Sequence, residues 1–584
     1  MTKAGSLFVL LLTLSTRSLL PALDTTARAQ TTPDERRFAR AREASIAGTR
    51  VKAQRMSVIN FRRLALEESA LPAPTPGPPK VVGPPLPVRH DFPVPDDFVA
   101  APEARLALPA PAATPLGPSP PPSAQFGAVI DNNSIQPPDT NGAVGLNHVM
   151  TVTNQDYRVQ SKTGANLLAM SVSSFWTGLG ASAPFDSKVL YDPYDHRWLI
   201  TACSDRNSPN SALLIAASQT NNPTGNWNRY MLDVDPSGAA WADYPSFGFN
   251  KKWAAVSINM YGVNNFNFSP PLTFLFEKAD LYAGVSAPLL TASVINYGIT
   301  SGQTHVPAVT YDKYIDDLYL VAEWNSGAGL VRQFTISGPV AAPVVSPGPY
   351  FRTPGITWHW GTFQDFAPQL GTTAKIMTND SRMLSVVFRN GSLFAAHTIH
   401  LPTQTPLRSA VQWWEFRPTT GTATLTPLQQ GRIEDPTADM SVPTGEFFAF
   451  PSIAVDRCNH VLIGYTRFSP TQYASVNYAY RFYTDPPGTL RADRVLKAGL
   501  GIYDKWGTSR WGDYSSTAVD PVDDVTMWTV QEYAEMPVGT GAASSRWGTW
   551  WGQVKRPNYG YVYPCPLQTY YSVERKRRGR RPRR

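Results

Sequence analysis

KVLYDPYDHRWLITA (Lys188–Ala202) reads as a short apolar strand, an acidic turn at Asp192 and a second apolar strand. An Asp suits that turn because its carboxylate bonds nearby backbone and its own backbone tolerates left-handed conformations. The same grammar returns in GAVGLNHVMTV (Gly142–Val152), PSFGFNKKWAAVSI (Pro245–Ile258) and PAVTYDKYIDDLYLVAEW (Pro307–Trp324). It returns again in RMLSVVFRNGSLFAAHT (Arg382–Thr398), PSIAVDRCNHVLIGYTRF (Pro451–Phe468) and SSTAVDPVDDVTMWTVQEY (Ser515–Tyr533). The turn residues are Asn147, Asp192, Asn250, Asp312, Asn390, Asp456 and Asp520. A lone hairpin cannot bury both faces, whereas hairpins stacked around an axis can, and radial closure leaves few exposed edges. The reading is all-β, a seven-bladed β-propeller over residues 126–565, with six or eight blades also compatible with such degenerate repeats.

Composition agrees. The 584 residues include 54 Pro, 41 Gly, 16 Trp, 25 Tyr and 26 Phe, and only 16% are charged, which excludes helix bundles and coiled coils. Before the repeats lie three segments of different character. Residues 1–29 read as a signal peptide: Lys3, the apolar run Leu7–Leu14, and Ala27-Arg28-Ala29 before Gln30. Residues 30–70 are charged and helix-compatible. Residues 71–125 carry 18 prolines and read as an extended, disordered Pro-rich linker. After the repeats, residues 566–584 end in RKRRGRRPRR, a disordered basic tail.

That tail carries eight Lys or Arg, the size of the whole chain's formal charge of +8, so the body is near neutral. A nucleic-acid groove across the folded body is therefore not expected. No segment after the leader is apolar for long enough to span a bilayer, so no transmembrane segment is expected. The expectation is an exported, extracellular or periplasmic protein, read as a monomer. Cys203, Cys458 and Cys565 allow at most one disulfide and show no zinc spacing.

PPDTNGAVG (Pro137–Gly145), VLYDPYDHRW (Val189–Trp198), NDSRMLSVVFRNGSLFAAHT (Asn379–Thr398) and RWGDYSSTAVDPVDD (Arg510–Asp524) resemble secreted bacterial β-propeller proteins of the broad sialidase-like type, whose members are mostly uncharacterised functionally. The resemblance spans roughly residues 126–555 and implies the propeller fold. It does not imply sialidase activity. No strict S/T-x-D-x-G-x-x-W box is present, and Phe351-Arg352-Thr353-Pro354 echoes a sialidase arginine motif only at mid-chain.

In a propeller the residues just before each innermost strand converge at one mouth of the axial channel. These are Asp139, Asp186, Asp243, His305, Asp380 with Arg382, Glu446 and Asp513. WADYPS (Trp241–Ser246) and WGDYSS (Trp511–Ser516) are near copies. Read functionally, Asp243 and Asp513 form the acid and base (or nucleophile) of a glycoside-processing hydrolase or lyase, with Arg382 positioning an acidic substrate. The carboxylates also admit Ca²⁺ as a cofactor. Asp139, His305 and His359 complete a ligand site, with Trp241, Trp358, Trp360 and Trp511 stacking on sugar rings. Read structurally, Asp139, Asp243 and Asp513 fix the turns that lead into the inner strands, and each histidine is a hydrogen-bonded core residue. A device needed in every blade is repeated; a catalytic group is needed once. The expectation is a binding or scaffold propeller recognising a carbohydrate or extracellular protein, with the glycoside-processing enzyme as the alternative.

Overall fold

The computed structural model describes residues 46–72, 80–81, 91–94, 116–556 and 565, except for short gaps at 300–301, 353–356, 362–364, 419–424, 442–443, 508 and 542. The signal peptide, most of the Pro-rich linker and the basic tail lie outside the described residues.

The chain is all-β and builds a β-propeller. Its first complete blade is an antiparallel sheet of Asn141–Val144, His148–Val152, Asp156–Ser161 and Asn166–Ser171. The next runs Phe185–Asp192, Arg197–Ser204, Ala212–Ser218 and Asn226–Asp233. Asp192 sits at the turn where the sequence places it, its Oδ1 accepting from Tyr194 N at 2.9 Å. A third is built on Val306–Pro307, Leu318–Asn325, Leu330–Ser337 and Val344–Arg352. A fourth is formed by Phe447–Val455, Val461–Ser469, Gln472–Arg481 and Arg494–Lys497.

The fifth sheet joins the two ends of the repeat region. Ser516–Val519, Met527–Glu535 and Arg546–Val554 are completed by Pro122–Ile130, so the strand starts four residues before the boundary at 126. Two small pairs, Asp365–Ala367 with Ile376–Met377 and Lys80–Val81 with Ile135–Gln136, stand apart, and the other strands form one ten-stranded sheet. It contains an antiparallel run from Ala240–Phe249 to Thr291–Asn296 and another from Ser385–Arg389 to Leu425–Ile433. Between them Val309–Thr310 pairs in parallel with Phe249 on one side and with Val387 and Phe388 on the other.

Residues 46–60 depart from the helical expectation for 30–70. Ile46–Ala47 pairs with Val344–Val345, Thr49–Lys52 with Thr291–Val294, and Arg55–Asn60 with Asn226–Met231. Each adds an outermost strand to a different set of strands, satisfying edge N–H and C=O groups that would otherwise face water. Among the described residues of this segment the helix is Phe61–Ser69, started by Asn60, whose Oδ1 accepts from Arg63 N at 3.0 Å. Phe61 and Ala65 are buried, and the Phe61 ring lies 6.0 Å from Phe175. Further along, Phe92 is buried against Trp324 with ring centroids 4.7 Å apart.

Between the blades lie apolar layers dominated by aromatics; twelve tryptophans are fully buried among the described residues. Cys458 is bonded to Cys565, and Cys203 is a buried free thiol. No helix among the described residues is long and apolar enough to cross a membrane.

If the N-terminal segment is part of the fold, Phe61→Ala should cost about 3–5 kcal/mol, the usual range for emptying a buried Phe site. Urea unfolding of the full chain measures this, and a loss below about 1 kcal/mol would make the segment ornamental.

Candidate functional site

The chain approaches nearly every inner strand through one residue with left-handed backbone. Asp139, Asp186, Tyr244, Thr304, Asn379 and Phe450 have φ of 49°, 55°, 54°, 48°, 56° and 56°. Non-glycine residues rarely adopt this conformation, so its recurrence marks a shared device of the blades. Pairing registers slip at the same places, between Phe185 and Lys188, Asp243 and Ser246, and Ala449 and Ser452. The slip turns the chain into the channel.

Asp139, Asp186 and Asp513 converge there, with one oxygen from each lying within 4.8 Å of the others, all three residues buried. Asp139 Oδ1 accepts from Asp513 N at 2.8 Å and its Oδ2 from Asn154 Nδ2 at 2.7 Å. Asn154 Oδ1 in turn accepts from Asp186 N at 2.7 Å, and Tyr514 OH donates to Asp186 Oδ2 at 2.9 Å. Arg510 Nη2 donates to Asp513 Oδ2 at 2.6 Å, and Asn379 Nδ2 donates to Asp513 Oδ1. Burial and then the Asp513 charge push the carboxyls of Asp139 and Asp186 above the usual range. Glu532, also buried, is pushed up first by burial and then by Asp139. The cluster ties blades from opposite ends of the chain. Its donor set fits poorly with Ca²⁺, since each gathered carboxylate already accepts from a protein donor and Arg510 supplies positive charge.

Asp243 is partly exposed, and its carboxyl is pushed up to about 7, first by burial and next by Asp186. Arg382 is committed elsewhere. Its Nε and Nη2 donate to the two oxygens of Asp380 at 2.8 and 2.7 Å, and its guanidinium stacks 4.2 Å from the Tyr244 ring centre. That bidentate ion pair with Asp380 corrects its expected role, because a substrate carboxylate would have to displace a buried partner. Glu446 lies apart, paired with Arg467 at 3.1 Å.

The aromatic platform is also corrected. Trp241, Trp358 and Trp511 are buried, packed on Tyr261 and Phe266, on His397 and Trp414, and on Phe468 and Tyr503 respectively. Their faces are spent on the protein interior, leaving none for a sugar. His305 is buried and stacked on Tyr297 at 3.9 Å. His359 and Trp360 are half-buried and stack on each other at 5.4 Å.

The open space lies along the axis. A cavity of about 320 Å³ is lined by inner-strand residues from Asn141–Val144 round to Ser515–Val519. At the inner strands' N-terminal ends it is floored by Lys188, Tyr244 and Tyr514, with the two tyrosine rings 4.7 Å apart. At their C-terminal ends it reaches Tyr194, Tyr311 and Lys313. Neither Asp243 nor Asp513 lines it. Lys188 escaped the sequence reading although it opens the stretch that decided the fold. The signal was positional: two residues after the left-handed residue, other blades place Asn141, Ser246, Val306, Ser381 and Ser452.

No protein-family profile and no curated protein matches the sequence. Among solved structures, a hypothetical selenium-binding protein from Sulfolobus tokodaii is similar at 5% identity, covering 61% of this chain and 77% of its own, with a TM-score of 0.38. A sialidase from Trypanosoma rangeli shares 9% identity over 67% of this chain and 55% of its own, TM-score 0.30. A xylan β-1,4-xylosidase from Bacillus halodurans shares 10% over 76% and 100%, TM-score 0.28. The fold assignment rests on the sheet topology.

The raised carboxyl of Asp243 has a definite consequence for stability. A group whose folded pKa lies above its unfolded value near 4 adds stability below that value, and the contribution is lost as pH rises through about 7. Asp243→Asn removes this term, so the variant should lose less thermal stability than the native chain between pH 5 and 8. Superimposable melting profiles would mean that Asp243 titrates normally.

Proposed function

We propose that this chain is an exported, seven-bladed β-propeller that binds a small polar ligand, a carbohydrate in the first instance, within its central channel. The count of seven takes the ten-stranded sheet as two blades, joined only through the two residues Val309–Thr310. Export is supported by the leader-like residues 1–29 and by the Cys458–Cys565 bridge, which suits an oxidising compartment. The observation that carries the binding reading is the separation of acids from space. The cavity sits among inner-strand walls bearing Asn141, Ser246, Ser385 and Ser516, while the carboxylates are tied into hydrogen bonds beyond the Tyr244–Tyr514 floor. Concave sites with a few polar groups on an apolar wall are the usual form of small-ligand pockets.

One observation favours the alternative, a glycoside-processing enzyme. Asp243 is partly exposed and its carboxyl stays protonated up to about neutral pH, as a general acid requires.

The two readings separate on a glycan array with product release monitored. Val309 is a half-buried wall residue, so Val309→Trp narrows the channel without breaking a side-chain hydrogen bond. Channel binding predicts at least about a tenfold loss of affinity in Val309→Trp, about 1.4 kcal/mol, with Asp243→Asn binding as the native chain does. Turnover by the native chain that Asp243→Asn abolishes would establish the enzyme instead.

A further inference from the structure

We propose that the ε-amine of Lys188 captures a carbonyl: it condenses reversibly with the aldehyde of a small hydroxyaldehyde, such as an open-chain aldose, held in the channel cavity. The inference rests on the channel-binding reading and names the ligand chemistry.

Among the described residues three lysines are nearly or fully buried, and two are neutralised in the ordinary way. Lys278 Nζ lies 2.6 Å from Asp192 Oδ2, and Lys505 is paired with Asp131. Lys188 differs. It is 7% exposed, lines the cavity and places Nζ over the face of the Tyr514 ring, with no ion pair to a described residue. A buried cation without such a partner is costly, and the amine can escape that cost by losing its proton. Desolvation accordingly pulls the Lys188 amine down to about 7, against the opposing charges of Asp186, Asp139, Asp513 and the Cys203 thiol. A large neutral fraction at physiological pH makes it a nucleophile, and it faces open space.

The chemistry balances with groups already present. The Lys188 nitrogen attacks the carbonyl carbon, forming a C–N bond while the carbonyl oxygen becomes the hydroxyl of a carbinolamine. Loss of that hydroxyl with a proton, as water, leaves a C=N bond, and hydrolysis reverses both steps. Neither oxidant nor reductant is consumed. The proton that departing water needs is the one the carbinolamine nitrogen gives up, passed through solvent in the cavity. The hydroxyl of Ser246 on the wall suits a hydroxylated ligand, whereas Ser516 Oγ donates to Gly142 O and Asn141 Oδ1 accepts from Val189 N.

The test exposes the full chain to glycolaldehyde with cyanoborohydride, which reduces any imine to a stable amine, and maps adducts by peptide mass spectrometry. At pH 7 the Lys188 peptide should label at least about tenfold faster than that of exposed Lys52, which does not line the cavity. Its rate should rise with a midpoint near pH 7. Lys188→Arg, which keeps a cation over Tyr514, should lose that adduct alone, and Val309→Trp should slow it. Labelling of Lys188 no faster than Lys52, or only after denaturation, overturns the proposal. If glycans bind and Val309→Trp blocks them while Lys188 stays unlabelled, channel binding stands and carbonyl capture falls. If neither binding nor labelling occurs, both fall.

Discussion

Everything in this molecule depends on one antiparallel pairing between residues more than four hundred positions apart. Pro122–Ile130 lies beside Arg546–Val554, and Thr549 Oγ1 both accepts from Val129 N at 2.8 Å and donates to Val129 O at 3.1 Å. Without that strand the ring would have a free edge on the Arg546–Val554 strand, with unpaired amides and carbonyls facing water. The pairing also sets the axis, because the channel exists only when the last blade meets the first. The loop-closure entropy of joining such distant segments is recovered through the apolar layers that closure completes. Val530, Trp528 and Trp551 of the last blade pack with Val144 and Val149 of the first.

Closure then imposes a second requirement, crowding at the axis. The turns that lead into the inner strands crowd together there, and one oxygen from each of Asp139, Asp186 and Asp513 lies within 4.8 Å of the others. The left-handed residues accomplish the turn, and the carboxylates, amides and arginines beside them stitch neighbouring turns together. Asp139 receives Asp513 N, while Asn379 and Arg510 hold Asp513. Acidic side chains recur there because they can accept several backbone and side-chain donors at once. The N-terminal segment solves the same kind of problem at the rim, laying successive short strands over three outer edges.

The propeller was legible because its repeats write strand, turn and strand into local sequence; Asp192 and Asp456 bond their own turns as expected, while the Asp312 carboxylate reaches across to Asn390 N and Gly391 N of another repeat. The outer strands of residues 46–60 were not. TRVKAQRMSVIN alternates polar and apolar residues, but with so many charges that only a partner edge makes it a strand. In Arg55–Asn60, Val58 is 48% exposed and Ile59 6%. The convergence of Asp139, Asp186 and Asp513 could be read from their position before the inner strands. The burial of Trp241 and Trp511 could not, since an aromatic beside an acid looks alike whether it faces solvent or a core. Lys188 was hidden by its apolar neighbours, which made the segment read only as strand.

The physical division that results is between a place for protons and a place for a ligand. Beyond the tyrosine floor, burial raises the carboxyls of Asp139, Asp186 and Glu532, with the Asp513 charge next for the two aspartates and the Asp139 charge next for Glu532. The tilted rings of Tyr244 and Tyr514, 4.7 Å apart, lie between that cluster's hydrogen bonds and the cavity, with Tyr514 OH donating to Asp186. The same floor closes the cavity on its other side. Lys188 spans the boundary, with its nitrogen on the cavity wall and the fields of Asp139, Asp186 and Asp513 behind it. Those fields hold its proton and desolvation expels it, so the amine is balanced between charge states by the same network that closes the ring. A structural device repeated around the axis thus leaves, in one blade only, a group whose reactivity the rest of the ring controls.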